Sequence, residues 1–424
     1  MTDTADMQID DMLVLARKNH AAQVPPVRKD PAPRDRRFTI ISVDDHLMEP
    51  PDTFDGRLPA RFADRTPHVV EGEHGREFWN FDGELVPVSG ADALVSWELI
   101  SESFNGPVRF DEVRRGMWDV HARVADMDLA GVAASLSFPS MIYGFAGQRF
   151  MRMADRELGF ASMQAYNDWI AEGWVGPYPD RMIPCQVTWL PDPEKAAAEI
   201  RRNAERGFKA VAFSENPAKL GLPSIYSEEW DPFLKACEET ETVINLHIGS
   251  SSSTMKPTPD SPIEVVGKLF TVNAMAAVLD WIYAKVPVRY PNIKIAMSEA
   301  GIGWLPWMID RIDYQHQRTT PDRGTWGGYE LTPSEVLQRN FWFTSFYDPK
   351  GFAMLDLVDQ TKILVETDYP HADSTWPDCQ AALDHQLAAL TPEQVELVTH
   401  KNATALYRHP VPAGWTLNTP GSTV

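Results

Sequence analysis

Eight short, apolar, β-rich runs punctuate the chain from Phe38 onward, and the stretches between them carry helical patterning. The runs are FTIISVDDH (from Phe38), ASLSFP (Ala134), MIPCQVTWL (Met182), FKAVAFS (Phe208), TVINLHI (Thr242), IKIAMSEA (Ile293), FWFTSF (Phe341) and KILVETD (Lys362). Parallel strands need a crossover of a dozen or more residues between them, usually a helix, so this rhythm predicts βα units and argues against all-β and all-α folds. Their near-continuous apolar character is that of strands buried on both faces. Eight such units predict an α/β fold, a (β/α)8 TIM barrel, with a doubly wound open sheet as the alternative. Intervening helices read clearly in DPEKAAAEIRRNAERG, from Asp192 with Gly207 as its C-terminal stop, and in EEWDPFLKACEET, WLPWMIDRIDYQHQR and PKGFAMLDLVD.

Around this core the chain divides into an arm over 1–36, a barrel domain over 37–410 and a tail over 411–424. The arm contains PPVRKDPAPRDRR, whose prolines and charges suit neither a ladder nor a helix interior, and reads as mobile or as clasping a partner. An insertion between strands 1 and 2, about 51–116, includes REFWNFDGELVPV, where Asp82-Gly83 between alternating apolar residues predicts a hairpin. Above the catalytic face of a barrel such an insertion acts as a substrate-shaping lid or as a structural flap.

Lys and Arg total 39 against 60 Asp and Glu, a net charge of -21 that disfavours nucleic acid and anionic membranes as partners. The three cysteines are far apart, which fits a reducing compartment and neither a disulfide scaffold nor a cysteine zinc site. The N-terminus lacks the basic flank of an export signal, and the most apolar stretch, Ala274–Val288, is broken by Asp280 and Lys285. A cytoplasmic protein without a membrane span is the expectation.

Active sites of barrels sit at the C-terminal ends of the strands. Strand 1 ends in Asp44, Asp45 and His46, strand 5 in His247, strand 6 at Glu299 and strand 8 at Asp368. Alternation points Asp44 and His46 into the mouth and Asp45 away from it. Asp44, His46, His247 and Asp368 thus supply two imidazoles and two carboxylates, a ligand set for one divalent metal. Mixed nitrogen and oxygen ligation suits zinc, or manganese if the carboxylates dominate.

The runs VDDHLMEP, NLHIGSS, MSEAGIGWLPWMIDRID and ILVETDYPHADSTWP, with DVHARVADMDLAGVAASLSFP near strand 2, resemble the amidohydrolase superfamily. More narrowly, they resemble its branch of aminocarboxymuconate-semialdehyde and hydroxybenzoate decarboxylases, over about Phe38 to Leu406 and including a closing NATALY. The resemblance implies metal ligation by His247 and Asp368, with Asp368 also a proton carrier. It maps the strand-1 pair to Asp44 and His46, where relatives more often carry His-x-His or Glu-x-His. On strand 6 relatives usually carry histidine and this chain has Glu299, which acts either as an acid or base beside the metal or as a structural carboxylate for the helix beginning at Trp304. A homodimer is also implied.

Two-metal members of the superfamily this chain resembles bridge their metals through a carboxylated lysine on strand 4, but Lys209 opens that strand at the opposite end, so the resemblance implies a single metal; Glu215, just past the strand, is a weak further candidate. Glu49 approaches the metal or anchors its loop. His371 contacts substrate or fixes the last loop, and Trp304, Trp307 and Trp376 are candidates for stacking on an aromatic ring. Arg114 and Arg115 lie near the insertion, where an anionic substrate wants a cation, whereas Arg123 reads as a helix-surface partner of a nearby aspartate. The expected activity is non-oxidative decarboxylation of a hydroxylated aromatic or conjugated unsaturated acid, with Asp368 and Glu299 moving protons and His247 at the reacting centre. The alternative is hydrolysis of an amide, ester, lactone or carbon–carbon bond by a water acidified at the metal. A third reading is a degenerate, non-enzymatic binding protein.

Overall fold

The protein is described by a computed structural model over residues 7–8, 24–72, 75–98, 106–318, 324–345 and 347–418. Each of the eight apolar runs contains a strand: β1 Ile40–His46, β2 Val132–Phe138, β3 in two pieces (Met182–Ile183 and Cys185–Gln186), β4 Ala210–Ser214, β5 Val243–His247, β6 Ile295–Ser298, β7 Phe341–Ser345 and β8 Ile363–Val365. All neighbouring pairs are parallel. Pro184, which has no N–H to give to a ladder, splits β3; its first piece pairs with β2 and its second with β4. The ring closes at the mouth, where Asp368 N donates to Asp44 O at 3.0 Å and His46 N to Tyr369 O at 2.6 Å. The architecture is therefore the barrel and not the open sheet.

Alternation sorts the core into two layers. Ala134, Leu136, Ile183, Ala210, Ala212, Val243, Ala296 and Leu364 fill the interior, where small and branched residues interleave. Their chain neighbours Val211, Phe213, Ile244, Leu246, Ile295 and Met297 face the helices. Below, the helix Asn402–Tyr407 plugs the barrel with Ala403, Leu406 and Tyr407, and the Tyr407 hydroxyl donates to Asn245 Oδ1 at 2.6 Å. The register of β1 against β2 shifts between Ser42 and Asp45, a bulge that lets Ile41 and Val43 join the interior although Asp44 and His46 do so too.

The helix expected from Asp192 runs over Pro193–Glu205, with the Asp192 carboxylate accepting from Glu194 N and Lys195 N at 3.1 Å. Within the insertion, Glu77–Phe81 and Glu84–Pro87 form the expected hairpin, and Asp82 and Gly83 both take positive φ (54° and 97°) as a two-residue turn of this kind requires. Much of the arm lies outside the described residues. Its described part lies on its own chain: Arg28 N donates to Ser96 O, Arg34 N to Leu129 O, and Met7–Gln8 pair with Ser253–Thr254. Of the tail, 419–424 lies outside the described residues. The stretch Ala274–Val288 falls on the helix Phe270–Tyr283 and its short successor, and among the described residues no helix is long and apolar enough to cross a membrane.

Candidate active site

The strand ends bring Asp44, His46, His247, Glu299 and Asp368 together, all buried or nearly so. His46 Nε2 and His247 Nε2 are 3.0 Å apart, with Asp44 Oδ1 3.4 and 3.5 Å from them. Asp368 Oδ1 is 3.7 Å from His46 Nε2, and Glu299 Oε1 is 3.8 Å from His247 Nε2. Backbone carbonyls fix both rings: His247 Nδ1 donates to Ile248 O at 2.6 Å and His46 Nδ1 to Pro139 O at 3.3 Å. Each Nε2 is then left to face the other, and two lone pairs at that distance repel unless a positive charge joins them.

In the absence of a cation that charge is a proton on His247. Burial opposes its protonation, but the Asp44 and Glu299 carboxylates carry its pKa up to about 9. His46 stays neutral, lowered well below the usual imidazole value chiefly by burial. Burial also penalises the Asp44 carboxylate, yet His247 and His46 hold it well below the ordinary range. Both Asp44 oxygens are buried with no hydrogen-bond partner, an expensive arrangement that a divalent ion would relieve. Asp44, His46 and His247 have donor atoms close enough together to hold such an ion, which in binding would displace the His247 proton, while Asp368 falls in a second donor group that shares His46. Glu299 and His371 also have donor atoms close enough to join His46 and Asp368 around one ion.

Glu299 and Asp368 adopt left-handed backbone conformations, with φ of 54° and 48°, which cost roughly 1–2 kcal/mol each outside glycine. The surrounding structure holds both turns. Glu299 N donates to Thr344 Oγ1 at 3.0 Å, and the Asp348 carboxylate accepts from Ile302 N and Gly303 N just downstream. Burial pushes the Glu299 carboxyl up to about 8 against the pull of His247, and a cation bound beside it would lower it again. Burial likewise raises Asp368, opposed by His371, whose Nδ1 lies 3.0 Å from Asp368 Oδ1. His371 is in turn held well above its usual value, burial being outweighed by Asp368. On its other side, His371 Nε2 is 3.9 Å from Asp92 Oδ1, a buried carboxylate from the insertion.

A cavity of about 230 Å³ opens onto this cluster. Glu299, Asp368 and His371 form its polar end, and Leu94, Met141, Phe145, Ile248 and Phe270 line its apolar walls. The Phe145 ring lies 4.3 Å from the His247 ring, so the apolar wall reaches the donors directly. Leu94 and Ala91 come from the insertion, which therefore shapes the pocket.

Other sequence candidates lie elsewhere. Glu49 anchors its loop through Ser140, whose hydroxyl and N–H it accepts at 2.5 and 3.1 Å. Glu215 accepts from Ser250 and Ser251, both at 2.5 Å, and so holds the loop after β5. Trp304 is pinned to Ala300 O and Gly301 O, Trp307 is largely exposed, and Trp376 packs under Arg114 with its N–H on Asp126 O; none of the three lines the cavity. Arg114 is paired with Asp126 and Asp30, and Arg115 with Asp119. The reading of Arg123 as a surface residue is overturned. It is only 1% exposed and donates to the His46 and Gly116 carbonyls, because its helix turns this face toward β1.

Phe145, Phe270 and Asp92 were not legible as site residues, since each sits in a loop, helix or insertion with no periodic signal. Glu366 was legible in principle. On the strand-8 run it alternates in phase with Asp368, and Glu299 N approaches its Oε2 at 3.3 Å.

Burial pushes the Glu49 carboxyl up to about 8 from an ordinary 4.5. The folded state then binds a proton that the unfolded chain releases, so this stability contribution is complete below pH 4.5 and is lost as pH rises toward 8. Glu49→Gln is expected to flatten the fall in melting temperature between pH 5 and pH 8, an effect of a few kcal/mol at about 1.4 kcal/mol per pKa unit. Equal slopes in native and variant thermal melts contradict this reading.

A closed ring of eight βα units with imidazole and carboxylate donors converging at its C-terminal mouth defines the class of metal-dependent barrel enzymes. The amidohydrolase family model matches residues 68–409, and the protein is an enzyme of that family. None of the curated proteins matches the chain. Among solved structures it is similar to an amidohydrolase from Mycobacterium avium subsp. paratuberculosis, at 20% identity and a TM-score of 0.66 over 88% of this chain and 99% of that one. It is also similar to 5-carboxyvanillate decarboxylase from Novosphingobium aromaticivorans, complexed with manganese and 4-hydroxy-3-methoxy-5-nitrobenzoic acid, at 17% identity and 0.61 over 90% and 99%. A third is 2,6-dihydroxybenzoate decarboxylase from Rhizobium, at 16% identity and 0.58 over 88% and 99%. At these identities the likeness establishes the fold.

Proposed function

We propose that the protein is a metal-dependent, non-oxidative decarboxylase of a hydroxylated aromatic acid, or of a conjugated unsaturated acid of similar size. The observation that carries this reading is the placing of two carboxyl groups, Glu299 and Asp368, with His371 at the polar end of an apolar-walled cavity of about 230 Å³ beside the donor cluster. That volume is below the roughly 300 Å³ at which pockets for drug-sized ligands begin, and suits one ring. Solved structures of similar fold hold manganese with 4-hydroxy-3-methoxy-5-nitrobenzoic acid and manganese with the inhibitor 2-nitroresorcinol, which adds support.

Asp44, His46, His247 and Asp368 are the residues we assign to holding one divalent ion, zinc or manganese, which supplies Lewis acidity toward the substrate's oxygens. The side chains Phe145, Phe270, Met141 and Ile248 clamp the ring and exclude water. Glu299, or Asp368 supported by His371, delivers a proton to the carbon that bears the carboxylate. The bond to CO2 then breaks, its electron pair restores the conjugated system, and solvent returns the proton to the carboxylate left behind. Hydrolysis is the second reading, favoured by Glu299 standing where decarboxylase relatives usually carry histidine.

The test is mass spectrometry of Mn2+- and Zn2+-loaded enzyme with a panel of hydroxybenzoates, unsaturated semialdehyde acids, lactones and arylamides. Loss of CO2 from an acid is expected, whereas addition of water to a lactone or amide, with no acid consumed, rejects the decarboxylase reading.

A further inference from the structure

A buried guanidinium stands directly behind the donor cluster, and no step above uses it. Nη2 of Arg123 donates to the His46 carbonyl, its Nε donates to Gly116 O at 2.6 Å, and its Nη1 reaches Ser137 Oγ at 3.5 Å. Its Cζ lies over the Tyr369 ring, 4.3 Å from the ring centroid. Tyr369 is the residue after Asp368, and its hydroxyl donates to Asp126 Oδ2 at 2.6 Å. The approach is so close at Gly116 that a Cβ there would lie 2.2 Å from Asp126 Oδ2 and 2.8 Å from the Tyr369 hydroxyl. Three segments meet on this one cation: the end of β1 that carries His46, the last residues of the insertion, and the loop that carries Asp368. Burying an arginine costs several kcal/mol, and its location points to what it does.

We propose that Arg123 is a positioning residue for the cation site, setting the separation of His46 from Asp368 by gripping the His46 carbonyl with its donors and the Tyr369 ring with its face. The inference rests on the reading of the donor cluster as a cation site and is independent of which reaction follows. Lysine cannot replace it, because an ammonium has neither the fork that serves two carbonyls nor the plane that stacks on an aromatic ring. A strut that merely held the fold would change stability and leave the cation affinity of folded molecules alone. A positioning residue changes that affinity.

The experiment is calorimetric titration of the metal-free, full-length native chain, Arg123→Lys and Tyr369→Leu with Mn2+, beside near-ultraviolet circular dichroism to establish that each is folded. Both variants are expected to bind Mn2+ about 10- to 100-fold more weakly than the native chain, the range seen when groups that orient metal ligands are removed. Native affinity in folded Arg123→Lys overturns the positioning role while the cation site stands; if that variant does not fold, native affinity in Tyr369→Leu overturns it. No Mn2+ binding by the native chain overturns the cation site, and the proposal with it.

Discussion

Asp368→Asn is expected to lose at least about 1000-fold in turnover while its melting temperature stays near that of the native chain, since a positioned acid or base contributes 10²–10⁴-fold and here also belongs to the donor set. The substitution keeps the side chain's size and its place beside His371 but removes the negative charge and the exchangeable acidic proton. Burial raises Asp368 and the His371 imidazole, its Nδ1 3.0 Å away, pulls it back, whereas an amide carries neither the charge that answers the imidazole nor a proton to give. Steady-state kinetics on whichever acid the panel identifies checks this. Full activity in Asp368→Asn removes both of its assigned roles.

The second large effect belongs to the histidines. An ion present at a hundred times its dissociation constant stabilises the folded state by about 2.7 kcal/mol. Replacing both His46 and His247 by alanine is expected to abolish that increment, so that Mn2+ raises the melting temperature of the native chain and not that of the double variant. The metal-free double variant also loses the imidazoles that hold the buried Asp44 carboxylate, so it is expected to melt lower than the native chain, and the readout is the Mn2+-dependent shift within each protein rather than the absolute melting temperature. An undiminished Mn2+-dependent shift in the double variant would place the ion elsewhere. Affinity for the ion in the native chain is expected to rise with pH up to about 9, as the proton on His247 that the ion displaces becomes easier to remove.

The barrel was legible because strands buried on both faces write themselves as continuous apolar runs, and all eight runs contain strands. Alternation along β1, β5 and β8 predicts Asp44, His46, His247 and Asp368 at one end; the structure gathers Asp44, His46 and His247 around one point and Asp368 with His46, Glu299 and His371 around another beside it. A one-residue bulge was not legible: it is a property of pairing with β2 and leaves no mark on a single strand. Arg123 was misread for a related reason. A charged residue on a helix is exposed by default, and only the approach of the His46 carbonyl and the Tyr369 ring, distant in sequence, makes an interior place for it. Trp304 and Trp376 were drawn toward the pocket by nearness in sequence to Glu299 and Asp368, yet their N–H groups are committed to backbone carbonyls away from it. The pocket's real aromatic walls, Phe145 and Phe270, come from segments whose direction only the folded chain defines.

The most direct test of the central claim is to run the Mn2+-loaded enzyme with its acid substrate in D2O and locate deuterium in the product. Protonation of carbon by a carboxyl that has equilibrated with solvent, as assigned to Glu299 and Asp368, predicts one deuterium on the carbon that lost CO2. A product that retains its carboxylate and has gained the elements of water contradicts the account, and makes the same cluster the centre of a hydrolase.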